Sequence, residues 1–320
     1  MHTKYQHVTI ALLLFLFFSI FPSTRREHQT APQIALMKNS PDNFLHGKTV
    51  VLVGDSTMRM LFYSLVSMKS NSNSTNDDVF DLFRGPTKFS KTIHFSDDKD
   101  GTKYLFIRAS KNLTVEDVQK EMFARKIFKS DIIIFNLGLH ILHLIHHRNN
   151  PQWMNLPADD LLYFLNYQQR IESFVNKVHF TNLTNRFVAK SVNFLCYEKF
   201  PMSNKERRAY SESYRTLNPN FLSFCKKYVT NVTNIHDPFM IAKACYLGSF
   251  TNDGVNTMNI DLSQLVYNFQ TQSDVDILFF PDYLTQSCNT TNDGIHHPKN
   301  ALERARLLSH LLTTNKNQFF

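Results

Sequence analysis

The stretch that most limits how this chain can fold is residues 49–63, TVVLVGDSTMRMLFY. A short apolar run rich in Val stops at Gly54-Asp55-Ser56, and apolar residues then recur at helical spacing. This pattern predicts a buried strand that leads directly into a helix, with Ser56 at the junction. Buried strands of this kind are typical of parallel sheets that are covered by helices on both faces.

The same alternation of short apolar runs and helical patterns continues along the chain. Strands are predicted at Thr49–Val53, Lys103–Arg108, Ile132–Asn136, Arg186–Val192 and Val275–Phe280, and helices at Thr57–Met68, Val115–Lys126, Asp159–Val178, 258–269 and Asn300–Leu312. Residues 69–78 are predicted to form a polar loop, and residues 196–260 to be irregular. We therefore expect an α/β fold with a central, mostly parallel sheet, in one domain that spans residues 46–320.

The N-terminal part differs in kind from this domain. Residues 8–22 carry no charge and lie between Lys4 and Arg25. Their length suits either a signal anchor or a cleaved signal peptide, and the lack of a small-x-small cleavage site favours the anchor. Residues 1–7 would then be a short N-terminal tail, and residues 23–45 a polar stem.

Two features predict that the domain lies in the lumen of the secretory pathway, in a single-pass Golgi membrane protein or, alternatively, a secreted one. Five N-x-S/T acceptor sites for glycosylation begin at Asn73, Asn112, Asn182, Asn231 and Asn289. An oxidising lumen would pair the even set of cysteines into two disulfide bonds with three possible connectivities. These cysteines are Cys196, Cys225, Cys245 and Cys288.

The net charge of +8 suits attraction to acidic glycans or to an anionic membrane surface. The densest basic patch, residues 205–208, is explained by a solvated helix face, and aromatic residues are not interleaved with it as a stacking platform. We expect no nucleic-acid partner.

Ser56 at the end of a strand is a candidate nucleophile, because helix N-termini meet ligands at that edge of a parallel sheet. A serine needs a base, and a histidine held by a carboxylate is the usual one. His296 is the one histidine of fourteen with an Asp three residues before it, Asp293. The predicted catalytic residues are therefore Ser56, Asp293 and His296. Two alternatives remain open: His297 could be the base, and Ser56 could merely cap its helix.

A second Asn-Asp-Gly stretch, Asn252-Asp253-Gly254, lacks a histidine at the matching position, where Asn256 stands instead. We expect that copy to be a turn without catalytic function.

The oxyanion of a tetrahedral intermediate also needs hydrogen-bond donors. The backbone N–H of Ser56 is one candidate. Another group of candidates follows the third strand, where Gly138 permits a close backbone approach and His140 or Asn136 could donate from its side chain. The histidines there, at positions 140, 143, 146 and 147, have helical spacing but no nearby carboxylate or cysteine, so we expect no metal site.

The motifs GDSTMR, FNLGLH and DGIHHP, in this order, resemble those of the PC-esterase branch of the GDSL/SGNH hydrolase superfamily. That resemblance spans roughly residues 46–314 and implies a three-layer flavodoxin-like fold. It implies that Ser56 carries the acyl group, that Asp293 and His296 complete the triad, and that Gly138 with His140 forms the third block. The chain departs from the superfamily at this block, where Gly-x-Asn-Asp is usual.

The resemblance further implies a luminal serine esterase or O-acyltransferase, acting through an acyl-Ser56 intermediate on the hydroxyl groups of a carbohydrate or glycoconjugate, with acetyl as the expected acyl group. No cofactor is expected. A transferase would need an acyl donor such as an acetyl ester or acetyl-CoA. Because one anchor cannot carry a donor across the membrane, that donor could come from a multi-span partner. The alternatives are a non-catalytic glycan-binding or adhesion protein on the same fold, and a secreted lipid esterase.

Overall fold

The computed structural model of the protein describes residues 45, 47–70, 74–85, 90–109, 113–138, 158–200, 225–227, 229–231, 235–247 and 252–313. All of these residues belong to one compact unit, residues 41–320. The predicted tail, the hydrophobic segment and all but the last residue of the stem lie outside the described residues.

A six-stranded sheet in the order β2-β3-β1-β4-β5-β6 forms the centre of the fold. The strands are β1 Thr49–Gly54, β2 Thr92–Asp97, β3 Thr102–Arg108, β4 Ser130–Phe135, β5 Thr184–Lys190 and β6 Ile277–Phe280. Strand β2 pairs antiparallel with β3 at one edge, and the other five strands are parallel. Without β2 the order is the 2-1-3-4-5 of flavodoxin-like sheets, whose ligand crevice lies at the carboxyl ends of the strands where the winding reverses, here between β1 and β4.

Helices cover both faces of the sheet. They are α1 Ser56–Ser70, α2 Asn76–Arg84, α3 Val115–Ala124, α4 Ala158–Leu165, α5 Tyr167–Phe180, α6 Pro238–Ala242, α7 Asn252–Gln272 and α8 Ala301–Thr313. Because side chains alternate along a strand, Val50 and Leu52 of β1 pack into the core under α1, α2 and α8, whereas Val51 and Val53 pack into the core under α3 to α7. All four side chains are fully buried.

The predicted α/β fold, with a central and mostly parallel sheet between two helical layers, is confirmed. Each predicted strand is present, and its ends lie within two residues of the predicted ones. The predicted helix 159–178 is divided at Asn166 into α4 and α5.

Three elements were missed: helix α2, strand β2 and the short helix α6, which lies in the segment 196–260 that was predicted to be irregular. Residues 69–78 are not only a polar loop, because helix α2 begins at Asn76 with a capping box in which Thr75 and Asp78 bond each other's backbone N–H. Its amphipathic face is short, with Val79 and Phe83 buried. Strand β2 was missed because only one of its faces is partly covered, so its sequence TIHFSD has few apolar residues.

The prediction of a turn at Asn252-Asp253-Gly254 was wrong, because these residues form the first turn of the 21-residue helix α7. The side-chain amide of Asn252 makes two hydrogen bonds with the backbone of Leu195. Its oxygen accepts from the Leu195 N–H, and its nitrogen donates to the Leu195 carbonyl oxygen.

The four cysteines pair as Cys196–Cys288 and Cys225–Cys245. This confirms two disulfide bonds and selects one of the three connectivities. Three predicted glycosylation sites lie among the described residues, and their acceptors, Asn182, Asn231 and Asn289, are exposed. Within the described part of the chain, no helix combines the length and the apolar character that a membrane crossing requires.

Candidate active site

Strand β1 delivers Ser56 to the crevice between β1 and β4. The strand ends at Gly54, where a Cβ atom would come within 2.9 Å of the Asn136 carbonyl oxygen. Asp55 follows and caps helix α1, since its Oδ1 accepts from the backbone N–H of Thr57 at 2.8 Å and from the Thr57 hydroxyl at 2.6 Å. The cap is therefore Asp55, and the hydroxyl of Ser56 is left for another contact.

That contact is with His296, which lies 240 positions further along the chain. The Nε2 atom of His296 is 2.7 Å from Ser56 Oγ, and its Nδ1 atom is 2.7 Å from Asp293 Oδ2. An ionised carboxylate can only accept, so Nδ1 carries the proton and Nε2 accepts from the serine hydroxyl. The structure thus brings the three predicted catalytic residues into one chain of hydrogen bonds.

Asp293 is held in its charged form by the loop that contains it. Burial acts to raise the pKa of its carboxyl group, but the hydrogen bond and the electrostatic attraction of the His296 imidazole, with hydrogen bonds from backbone N–H groups, hold that pKa well below its usual range. Its Oδ1 accepts from the N–H of Ile295 at 3.0 Å and of His296 at 2.8 Å. One carboxylate therefore fixes both the backbone turn and the imidazole.

Gly294 is required for this turn. Its φ is +81°, and a Cβ atom would lie 2.1 Å from the ring of the buried Phe200 and 2.5 Å from the Cys196 carbonyl oxygen. The carbonyl oxygen of Gly294 accepts from the N–H of Cys196 at 2.9 Å, and Cys196 is bonded to Cys288. The loop is thus tied to the residues after β5 by a covalent bond and a backbone hydrogen bond.

His297, the alternative base, has a different position. It is fully buried, with Nδ1 2.8 Å from the Thr290 hydroxyl and Nε2 3.2 Å from the Phe194 carbonyl oxygen. A carbonyl oxygen only accepts, so Nε2 carries the proton. Burial, with the charge of Arg304, lowers the pKa of His297 to about 4. His297 is a neutral structural residue, and His296 is the histidine that faces Ser56.

A buried ionic cluster lies beside this loop, and sequence reasoning missed it. Asp282 binds Arg304 through two hydrogen bonds and Lys190 through an ion pair of 2.9 Å, with all three side chains at most 1% exposed. Burial acts to raise the pKa of Asp282, but Arg304 and Lys190 hold it well below its usual range. Lys190 also donates to Asn193 Oδ1 at 2.9 Å, and the Asn193 amide donates to the Ile295 carbonyl oxygen at 3.0 Å.

The position of two members of this cluster could have been predicted from the sequence. Lys190 ends β5 and Asp282 follows β6 by two residues, so both stand at the carboxyl edge of the sheet, where sites gather. Nothing in the spacing indicated that Arg304, on helix α8, would reach them.

Ser56 and His296 open into a cavity of about 400 Å³. Helix α2 forms one wall with Phe80, Phe83 and Arg84, and the ring of Phe83 packs against His296 with centroids 4.9 Å apart. The remaining lining residues are Arg59, Phe106, Arg108, Asn292, Asp293 and Pro298. The cavity is therefore aromatic and basic at the serine.

Asn76 fixes helix α2 against the loop that follows His297. Its side-chain amide donates to the Lys299 carbonyl oxygen, 2.6 Å away, and accepts from the N–H of Leu302 at 2.9 Å. The wall of the cavity and the loop that carries His296 therefore hold each other in place.

The structure accounts for some of the predicted oxyanion donors but not for all of them. The N–H of Ser56 lies in the first turn of α1, where helix geometry provides no acceptor for it. The N–H of Gly138 donates to Asn136 Oδ1 at 3.2 Å, and the Asn136 amide donates to the carbonyl oxygens of Lys190 and Ser191. Both groups already have partners, so neither is a free donor. His140 lies outside the described residues.

Gly138 instead permits close packing. A Cβ atom there would lie 2.8 Å from Val192 Cγ2 and 2.9 Å from Met258 Cε.

The described residues offer one cluster of metal-ligating types, Cys196, Glu198 and Cys288. Its two cysteines form a disulfide and have no thiolate to offer a metal. The histidines at positions 140, 143, 146 and 147 lie outside the described residues.

No family model matches the chain, and no curated protein matches it. Among solved structures, the fold is similar to a variant of Axe2, an acetyl-xylooligosaccharide esterase from Geobacillus stearothermophilus, with a TM-score of 0.41 and 12% identity over 84% of this chain and 96% of that chain. A second Axe2 structure, described as an acetylxylan esterase, gives a TM-score of 0.40 and 12% identity over 85% and 97%. The acetyl xylan esterase AlAXEase gives 0.35 and 12% over 81% and 97%.

Proposed function

We propose that this protein is a serine esterase or O-acyltransferase that forms an acyl intermediate on Ser56 and acts on glycan hydroxyl groups. The observation that carries the proposal is the hydrogen-bonded chain Asp293–His296–Ser56, which opens into a cavity large enough for a small ester. A serine that only capped its helix would not need an imidazole at 2.7 Å.

In the proposed reaction, Ser56 Oγ attacks the carbonyl carbon of the ester while His296 Nε2 takes the hydroxyl proton. The negative charge that develops on the carbonyl oxygen is stabilised by the Ser56 N–H at the start of α1. The intermediate collapses, the leaving alcohol takes the proton from His296, and the acyl group stays on Ser56. Asp293 remains ionised throughout and stabilises the imidazolium.

The acyl group then passes to an acceptor by the reverse sequence. His296 takes a proton from the acceptor hydroxyl, which attacks the acyl carbonyl and releases Ser56. Water as acceptor makes the protein an esterase, and a glycan hydroxyl makes it a transferase. The basic cavity beside the serine favours a polar, carbohydrate-like substrate over a lipid chain.

The experiment compares hydrolysis of 4-nitrophenyl acetate by the full-length protein and its variants. We expect Ser56→Ala to lower kcat/KM by about 10³-fold or more, and Asp293→Asn by about 10²- to 10⁴-fold, because a triad residue acts only with its partners. Ser64→Ala is the matched control, since Ser64 lies on the same helix and its buried hydroxyl donates to the Met60 carbonyl oxygen. Equal activity of Ser56→Ala and the wild type would rule the proposal out.

A second assay separates esterase from transferase. Adding an unacylated glycan during turnover should produce acylated glycan at the expense of free acetate if the protein is a transferase, and should leave the yield of acetate unchanged if it is an esterase.

We also propose that the enzyme works in the secretory lumen, held by its N-terminal segment, and that a transferase would receive its acyl donor from a multi-span partner. The two disulfide bonds and the exposed acceptor asparagines support an oxidising, glycosylating compartment. Treatment of the cell-derived protein with a peptide N-glycosidase should lower its apparent mass. An unchanged mass would count against the luminal location.

A further inference from the structure

The cavity at Ser56 contains an excess of positive charge. Three of its lining residues are arginines, Arg59, Arg84 and Arg108, and the one carboxylate among the lining residues that the structure describes is Asp293. Asp293 is already bonded to His296. The arginines therefore face the cavity without a counter-charge from its wall.

Arg59 is the most constrained of the three. It is 5% exposed, and its Nε atom has no hydrogen-bond partner among the described residues. It follows Ser56 by three positions on α1, so the two side chains lie on the same face of the helix. A buried guanidinium with an unused donor is costly, and an anion bound beside the serine would satisfy it.

Aromatic rings hold two of these guanidinium groups without using their hydrogen bonds. The Cζ atom of Arg59 lies 4.4 Å from the centroid of the Phe83 ring, and that of Arg84 lies 4.1 Å from the centroid of Phe80. The two rings are themselves stacked, with an interplanar angle of 10°. Stacking occupies the face of a guanidinium and leaves its N–H fork free for the two oxygens of an anion.

Other buried or largely buried cations of the described residues contrast with Arg59 because they have acidic partners, whereas Arg84 and Arg108 are exposed. The pairs are Lys190 and Arg304 with Asp282, Lys69 with Asp97 and Asp100, and Lys243 with Asp261. Among the described residues, no carboxylate lies within ion-pair distance of any of the three cavity arginines. The cavity is therefore prepared for a negative charge that the substrate has to bring.

We propose that this cavity binds an oxyanion, so that the carbohydrate that reacts at Ser56 is an acidic sugar with a carboxylate or phosphate group. The part of this inference that concerns reaction at Ser56 rests on the proposed function. The part that concerns binding of the anion does not. Arg59, Arg84 and Arg108 bind the anion, and this binding places a neighbouring ester or hydroxyl group at the serine.

The test measures equilibrium binding of three sugars that differ only at C6, by titration calorimetry with the full-length protein. D-Glucose carries a hydroxyl group there, D-glucuronate a carboxylate, and D-glucose 6-phosphate a phosphate. We expect at least one anionic sugar to bind about tenfold or more tightly than glucose, because a charge-assisted hydrogen bond contributes that much to affinity. Which anionic sugar binds more tightly identifies the source of the oxyanion.

Variants assign the effect to the cavity. Arg84→Gln and Arg108→Gln should each reduce the preference for the anionic sugar by about tenfold. Arg125→Gln removes the same charge from an exposed arginine that does not line the cavity, and it should leave the preference unchanged. Equal affinity for the three sugars, binding of none of them, or an unchanged preference in both cavity variants would overturn the proposal.

The same titrations on Ser56→Ala, taken together with the 4-nitrophenyl acetate assay of the wild type, separate this inference from the proposed reaction. Anion preference without any reaction at Ser56 would remove the enzymatic proposal and keep the anion site. Reaction at Ser56 without a preference for the anionic sugar would keep the enzymatic proposal and remove the anion site.

Discussion

The side-chain amide of Asn193 donates to the carbonyl oxygen of Ile295 at 3.0 Å, and its oxygen accepts from the buried Lys190 at 2.9 Å. Ile295 is the residue before His296. A charged cluster in the core and the histidine of the site are therefore joined through one asparagine.

Asn193→Ala should lower kcat more than it raises KM, because the Ile295 carbonyl oxygen loses its donor and Lys190 loses one of its acceptors while the cavity stays intact. We expect a loss of about tenfold or more in kcat, as a small displacement of a catalytic group costs at least that. Asn259→Ala is the control, since Asn259 is also a buried asparagine with two hydrogen bonds, but both are to the backbone of Val192 and neither is to the loop. Equal effects of the two variants on kcat would contradict a positioning role.

Gly294→Ala should disturb the loop severely, because the added methyl group would overlap the Phe200 ring and the backbone has φ of +81°. Gly101 also has positive φ, +76°, but a methyl group added there would have no atom within 4 Å apart from those of Gly101 and its two chain neighbours. Gly101→Ala should therefore cost only the backbone strain, about 1 kcal/mol. Urea unfolding and ester hydrolysis of both variants check this, and a milder effect at Gly294 than at Gly101 would refute it.

Loss of the Cys196–Cys288 bond should affect activity as well as stability. Replacing both cysteines by Ala should lower the free energy of unfolding by about 2–5 kcal/mol, since the bond joins residues 92 positions apart. The Cys225–Cys245 bond spans 20 residues, and neither of its cysteines belongs to the loop of Asp293 and His296. Its removal should cost stability but leave kcat of the remaining folded protein unchanged, and an equal loss of kcat in both double variants would argue against this assignment.

His297 should make the protein less stable in acid. Its pKa is about 4 in the folded protein and about 6.5 in the unfolded chain, so between these values the unfolded state binds more protons. The contribution of the neutral His297 to the free energy of unfolding is therefore fully present above about pH 6.5, and it is lost as the pH falls towards about 4. In His297→Gln the difference between unfolding free energies at about pH 7 and about pH 4.5 should shrink by roughly 2 kcal/mol, as the linkage relation gives. An unchanged difference would mean that His297 is not the group that titrates.

The sequence predicted the parts of the fold that depend on local pattern. The strand at 49–53 and its junction with a helix follow from an apolar run that stops at Gly54, and the pairing of Asp293 with His296 follows from a spacing of three residues. These features need no knowledge of the rest of the chain.

The parts that it did not predict depend on contacts between distant segments. Arg304 reaches Asp282 from another element, and Asn193 reaches Ile295 over 102 positions. Helix α2 was missed because it is only nine residues long and follows a polar run. Without α2, neither the aromatic wall nor its stacked arginines could be foreseen.

Ser56 can be tested as the nucleophile by covalent labelling of the folded, full-length protein with a fluorophosphonate, followed by peptide mass spectrometry. We expect one labelled peptide with the adduct on Ser56, a strong loss of labelling in His296→Ala, and no labelling in Ser56→Ala. A wild-type protein that stays unlabelled, or a Ser56→Ala protein that labels equally well, would contradict this role of Ser56.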